Sequence, residues 1–219
     1  MNRERFLYTV VFIAITAFAF VFLLSLTNQA TIEQVELNQQ IARERAILQA
    51  LTIAPQDEDG NVVDAEVPQV FDERVTADKE NGRFVATIEG QTVWAKEFAG
   101  SGLWGTITGV LAVTSDLSEI IGLEIVSDNE TPGLGGRINE PWYTNQWEGE
   151  EIPQDGTIEL TAQSQEGDPD KDNGLVDGIT GATRTSESMV RIVTSQLAEL
   201  RSDDVQNAFE ELESSGGNS

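Results

Sequence analysis

The chain of 219 residues contains no cysteine and no histidine. That removes disulfides, thiolate nucleophiles, iron–sulfur ligation and the usual zinc and haem sites, all of which depend on those side chains. It also removes a Ser-His-Asp hydrolase, because the general base is missing. Chemistry on this chain is left to carboxylates, hydroxyls, backbone amides or a borrowed organic cofactor. Lysine is nearly absent as well, confined to Lys79, Lys96 and Lys171. No internal repeat is present.

Positive charge is scarce overall: 13 basic residues face 38 acidic ones, a formal net charge of -25. Such a surface repels nucleic acid, which is bound by neutralising phosphates with Lys and Arg, so no nucleic-acid partner is expected. Two readings of the acid excess stand side by side. One is a partner-steering acidic face; the other is the habit of a halophilic source, where salt screens the self-repulsion. The acids are spread along the chain rather than clustered, which favours the halophilic reading.

Phe6 to Leu26 reads FLYTVVFIAITAFAFVFLLSL without a single charge. At 1.5 Å rise per residue it spans roughly 30 Å, the thickness of a bilayer's hydrocarbon core. It is too long for a signal-peptide core, and Asn28-Gln29-Ala30 is a poor cleavage sequence, so an uncleaved anchor is expected. Arg3 and Arg5 precede the span, whereas the first basic residue after it is Arg43. The positive-inside rule then leaves residues 1–5 in the cytoplasm and the rest outside, on a single-pass protein of the inner or plasma membrane. Residues 27–55 show broadly helical apolar spacing, with Ile32, Val35, Ile41, Leu48 and Leu51, and read as a juxtamembrane helical stalk. Pro55 and the acidic Gln56–Gly60 stretch break it and open a globular domain over 56–202.

Within that domain the period changes. Arg83–Ile88 and Thr92–Ala95 form a hairpin about Glu89-Gly90, and Thr106–Val113 and Ile120–Val126 continue a meander whose connections are too short for parallel crossovers. Residues 187–200 read as a helix with Val190, Val193, Leu197 and Leu200 on one face and Ile192 near its edge. A second helix over 203–212 leads into an acidic tail, 203–219. The expected fold class is α+β: a twisted antiparallel sheet with helices packed on one side, preceded by one transmembrane helix.

Two loops ask for a ligand. Glu130-Thr131-Pro132-Gly133-Leu134-Gly135-Gly136-Arg137 carries three glycines in four residues, which lets backbone approach a ligand closely. It fits neither a P-loop nor a dinucleotide fingerprint, and composition alone reads equally as a tight turn. Asp177-Gly178-Ile179-Thr180-Gly181-Ala182-Thr183-Arg184-Thr185-Ser186 ends where a helix begins, a place that favours an anion. It reads equally as a loop closed by a Thr or Ser N-cap.

Taken as a pair, these motifs resemble the FMN-binding domain family. Asp177–Thr183 is similar to its flavinylation motif D-g-x-[ST]-G-A-T, and Glu130–Gly136 to its E-T-P-G-L-G-G hallmark. Gly102-Leu103-Trp104, Pro141-Trp142 and Trp147-Glu148-Gly149 resemble the branch formed by the C subunits of the sodium-translocating NADH:quinone oxidoreductase more than that of the Rnf complex G subunits. The stalk stretch Arg45–Ala50 does so as well. The resemblance implies FMN joined to Thr183 as a phosphoester, installed from FAD by a separate Mg-dependent flavin transferase. It implies a flavin lined by Trp104, Glu130, Thr131, Leu134 and Leu175, with Gly181 and Ala182 beside the attachment point. Asp177, Gly178 and Thr180 are then the positions the transferase reads. Trp104 as a core aromatic and Glu130 as the cap of its own turn remain open. Thr180 stands where Ser is commoner, and Arg184 where an aliphatic residue is usual. The implied role is electron transfer between a membrane-embedded iron–sulfur centre and a neighbouring flavin protein, inside a complex of membrane subunits. A stand-alone anchored flavoprotein is the reading from a different class. No metal site is expected.

Overall fold

The structure, a computed structural model, describes residues 3–164 and 166–216. The chain divides into two compact units, Met1–Ile41 and Ala42–Ser219. The first consists of the described part of helix α1 (Arg3–Ala50) up to Ile41. Its Arg3–Gln29 stretch, with an 18-residue window of mean hydropathy 2.6, is long and apolar enough to cross a membrane.

The second unit takes in the end of α1 from Ala42. This differs from a stalk running to residue 55, and burial explains it: Ala46, Ile47, Leu48, Ala50 and Leu51 are core residues here. Helix α2 (Val67–Arg74) follows, then strands β1 (Val75–Asp78), β2 (Arg83–Ile88), β3 (Gln91–Ser101), β4 (Thr106–Thr114), β5 (Glu119–Ser127) and β6 (Glu150–Glu151). These six make one sheet in sequence order, with antiparallel pairing throughout. The β2–β3 hairpin turns at Glu89 and Gly90, φ +52° and +86°, the twin left-handed conformation that matches strand twist. Strand β3 runs six residues beyond the expected Ala95, because Lys96–Ser101 pair with Leu111–Thr106 across the sheet. Pairing with a distant partner leaves no mark on local alternation.

Between β5 and β6 lie a 3₁₀ turn (Gly135–Asn139) and helix α3 (Pro141–Asn145). Strands β7 (Glu159–Ser164) and β8 (Leu175–Ile179) form a separate parallel pair, absent from the expected meander. Helices α4 (Thr183–Leu200) and α5 (Asp203–Gly216) complete the chain.

Helices cover both faces of the sheet, not one. On one face Trp94 of β3 stacks on Phe209 of α5 at 4.8 Å, and Lys96 of β3 reaches Gln196 and Glu199 of α4. On the other, Phe84 of β2 meets Phe71 of α2 edge-on, and Arg43 forms an ion pair with Glu97. There Gly122 of β5 lies so close to α1 that a Cβ would come within 2.4 Å of the Ala50 carbonyl. The part of this second layer that α1 supplies is hidden in the sequence because its apolar residues read as stalk.

Candidate functional site

Three chain segments meet beside the start of α4. The first is the β3–β4 loop, Gly102–Gly105, closed by a hydrogen bond from Gly102 N–H to the Gly105 carbonyl at 2.8 Å. Trp104 at its tip is 70% exposed and Leu103 is 43% exposed.

The second segment leaves β5 and is pinned by Asp128. One carboxylate oxygen accepts the Glu130 N–H at 2.7 Å, and the other accepts Asn139 Nδ2 at 2.7 Å. The Thr131 carbonyl then accepts the N–H groups of Leu134 and Gly136, both at 3.1 Å, folding the glycine-rich stretch into a tight turn with Gly133 at φ +74°. Leu134 projects from that turn, 46% exposed, and Thr131 lies exposed beside it.

The third segment is β8 and its exit into α4. Gln146, itself buried, holds Asp177 of β8 from both sides: its Oε1 accepts the Asp177 N–H at 2.7 Å, and its Nε2 donates to the Asp177 carbonyl at 3.1 Å. Gly181 at φ +82° turns the chain. Ser186 secures the turn, accepting the Ile179 N–H at 2.9 Å and donating to the Ala182 carbonyl at 3.1 Å. Helix α4 therefore starts at Thr183, four residues before the expected start at residue 187. Its cap residue is Ala182, which has no side-chain acceptor for the first-turn amides.

A buried carboxylate joins the three. Glu130 Oε1 accepts the backbone N–H groups of Leu103 at 2.7 Å and Trp104 at 3.0 Å, while Oε2 accepts the Thr185 hydroxyl at 2.7 Å. A Cβ on Gly181 would touch Leu134 Cδ2 at 3.6 Å.

Trp104, Glu130, Thr131, Leu134, Gly181, Ala182 and Thr183 thus fall in one neighbourhood. Trp104 is not a core aromatic. Glu130 caps amides, but those of Leu103 and Trp104 rather than of its own turn. Asp177 and Gly178 are buried in β8, and Thr180 and Thr183 are exposed. Leu175 opens β8 four residues before Ile179, roughly 13 Å away at strand rise. Sequence reasoning passes over Thr185, Ser186 and Gln146. The polar run Thr183–Ser186 is the one signal for the first two, and it reads as a helix cap; Gln146 carries none.

Among the described residues after α1, the large exposed apolar side chains are Leu103, Trp104, Val126 and Leu134. Three of these four stand at this junction, an apolar rim for a flat aromatic group beside a helix start open to an anion. The donor set fits a phosphate-bearing flavin.

Comparison with known proteins agrees. Residues 102–198 match the model of the FMN-binding domain family. The particular relatives are named as subunits of ion-translocating oxidoreductases. The chain is 37% identical to the C subunit of the Na(+)-translocating NADH-quinone reductase of Pseudomonas aeruginosa over 94 residues, 41% of this chain and 36% of that protein. It is 29% identical to the G subunit of the ion-translocating oxidoreductase complex of the same species over 201 residues, 90% of this chain and 89% of that one. It therefore spans about a third of the NADH-quinone reductase relative it matches. Its fold is that of the corresponding C subunit from Parabacteroides distasonis (TM-score 0.58, 24% identity, covering 76% of this chain and 94% of the other). The NqrC protein of Shewanella oneidensis shares it too (TM-score 0.61, 19% identity, covering 78% and 96%).

Proposed function

We propose that this chain is a membrane-anchored flavoprotein subunit that carries FMN on Thr183 and relays electrons within a sodium-translocating NADH:quinone oxidoreductase. The observation that carries the reading is the contrast between two threonines in one turn of α4. Thr185 is buried and donates its hydroxyl to Glu130, whereas Thr183 is exposed at the helix start beside Gly181 and Leu134. Of the two, Thr183 is the hydroxyl that another enzyme can reach.

Thr183 Oγ would hold the FMN phosphate as an ester, formed from FAD with AMP as the leaving group and the hydroxyl proton passed to solvent or to a base of the transferase. Asp177, Gly178 and Thr180 present the turn to that transferase. Bound FMN supplies the one-electron redox chemistry. With FMN bound, the first-turn amides of α4 would face its phosphate, Trp104 and Leu134 would cover its ring, and Thr131 would address its polar edge. Leu175 stays a lining residue only if the ring reaches back along β8. The anchor, residues 6–26, holds the globular unit that begins at Ala42 outside the cytoplasmic membrane with residues 1–5 inside.

A second reading is supported by coverage. Alignment with the relative from the ion-translocating oxidoreductase complex extends over nearly the whole of both chains, so the same flavin carrier would then serve a complex of that type. Both readings share one test of the cofactor. The full-length chain, co-expressed with a flavin transferase, should show an intact mass increased by one FMN less water, mapping to the peptide that holds Thr183. Thr183→Val should lack that mass; flavin retained in this variant refutes the attachment site. Co-purification with NADH-oxidising subunits would separate the first reading from the second.

A further inference from the structure

We propose that Glu130 and Thr185 act together as a latch that sets the position of the flavin, a role distinct from lining it. The inference rests on the flavin reading above. Glu130 is 6% exposed and Thr185 is 1% exposed. Their 2.7 Å bond joins residues 55 positions apart, and the other oxygen of the same carboxylate grips the Leu103 and Trp104 amides. Three donors on one carboxylate make a strong, directional set.

The surroundings leave the latch no slack. A Cβ on Gly102 would lie 2.5 Å from Glu130 Oε1. A Cβ on Gly135 would lie 2.5 Å from Thr185 Oγ1 and 2.7 Å from Glu130 Oε2. Two glycines therefore press backbone against the bond, and their loops carry Trp104 and Leu134. Thr185 stands two residues after Thr183, on the rigid first turn of α4. The latch thus fixes the distance between the attachment point and the aromatic tip of the β3–β4 loop. Trp104 is mostly exposed, so its place is set through its amide and not by side-chain packing. Thr185 and Glu130 are positioning residues.

The test uses the full-length chain in detergent, loaded by co-expressed transferase, with Thr185→Val as an isosteric loss of the hydroxyl and Thr185→Ser as its rescue. Covalent flavin per chain, visible circular dichroism per bound flavin, and thermal midpoint are read for each. The dichroism reports how the ring is held, which a purely stabilising bond would not move. Thr185→Val is expected to reduce the dichroism per flavin by roughly twofold or more, as the ring loses its fixed frame. Thr185→Ser is expected to restore it. Unchanged dichroism in Thr185→Val, or failure of the serine to restore it, overturns the latch while leaving flavin attachment intact. A wild-type chain without covalent flavin overturns the underlying reading and the latch with it. Should Thr185→Val not fold, Thr185→Ala takes its place: it withdraws the hydroxyl that Glu130 accepts without adding bulk, so reduced dichroism per flavin is expected, and wild-type dichroism in the folded variant overturns the latch.

Discussion

Gly100 of β3 lies directly beneath Ile192 of α4, where an added Cβ would come within 2.3 Å of Ile192 Cγ1. The absence of a side chain at this one strand position lets α4 settle on the sheet, two residues from the Gly102–Gly105 loop. Arg191, next along the helix, donates to the Ser101 carbonyl at 2.8 Å and ties the same two elements. Gly100→Ala should therefore lift α4 and cost about 1–3 kcal/mol, the usual penalty for overpacking a dense core. Urea unfolding of the detergent-solubilised chain measures it. A cost near zero would mean that Ile192 rotates away freely and that the contact does not set the helix height.

Gln146 offers a second test of how the site is held. The register of β7 and β8 shifts between Leu160 and Gln163, opposite Asp177, and Gln146 supplies hydrogen bonds to the Asp177 backbone at that irregularity. Gln146 Oε1 also accepts the Asp168 N–H at 3.3 Å. Gln146→Leu keeps the bulk but withdraws these bonds from a buried strand. A loss of about 2–4 kcal/mol is expected, since buried groups deprived of partners bear their full desolvation penalty. Stability equal to wild type would show that β8 is held by its strand pairing alone.

Glu150 gives a pH dependence of definite sign. It is fully buried in β6, and neither carboxylate oxygen closes a hydrogen bond among the described residues. Burial pushes its carboxyl up to about 7; the Gly174 and Leu175 amides and Lys171 pull the other way, and Asp168 adds to the rise. A raised folded-state value means that the native protein binds a proton the unfolded chain has released. Glu150 therefore stabilises the fold below its ordinary range, near 4.5, and that contribution is lost as pH rises through about 7. Glu150→Gln should gain on the order of 1 kcal/mol at pH 8 and little at pH 5, measured as the difference from wild type in denaturant midpoints. A gain that is the same at both values would remove Glu150 from the account.

What is legible in the sequence follows from how local each signal is. The β2–β3 hairpin and strands β4 and β5 announce themselves through alternation and turn residues, and the core face of α4 through its apolar spacing. The two ligand loops are legible as motifs. Their meeting is not, because the Glu130–Thr185 bond spans 55 positions and neither residue is unusual for its local setting. The first turn of α4 escapes for a related reason. Thr183–Ser186 carry no apolar period, and the turn there is secured by the Ser186 hydroxyl reaching back to Ile179 and Ala182. Strand β8 reads as part of a loop, since its pairing is parallel and its polar support comes from Gln146 on a distant segment.

The acid excess yields the remaining prediction. With 38 acidic residues against 13 basic ones, few acids can find a cation. Several of the cations are already committed locally, as in Lys79 with Glu44, Arg83 with Asp78, Lys96 with Glu199 and Arg137 with Glu140. The surplus acids repel one another across the surface of the globular unit. Their repulsion reaches about 10 Å at 0.1 M salt but only about 3 Å at 1 M, so added salt should stabilise the fold. If the composition reflects a halophilic source, raising KCl from 0.1 M to 1 M should add about 2 kcal/mol, or roughly 4–8 °C in the thermal midpoint. Sucrose, excluded from the surface but unable to screen charge, provides the control for a general solute effect. A chain that is fully stable in dilute buffer and indifferent to KCl would sink the halophilic expectation, and the acidic surface would then be better read as a face that steers a basic partner.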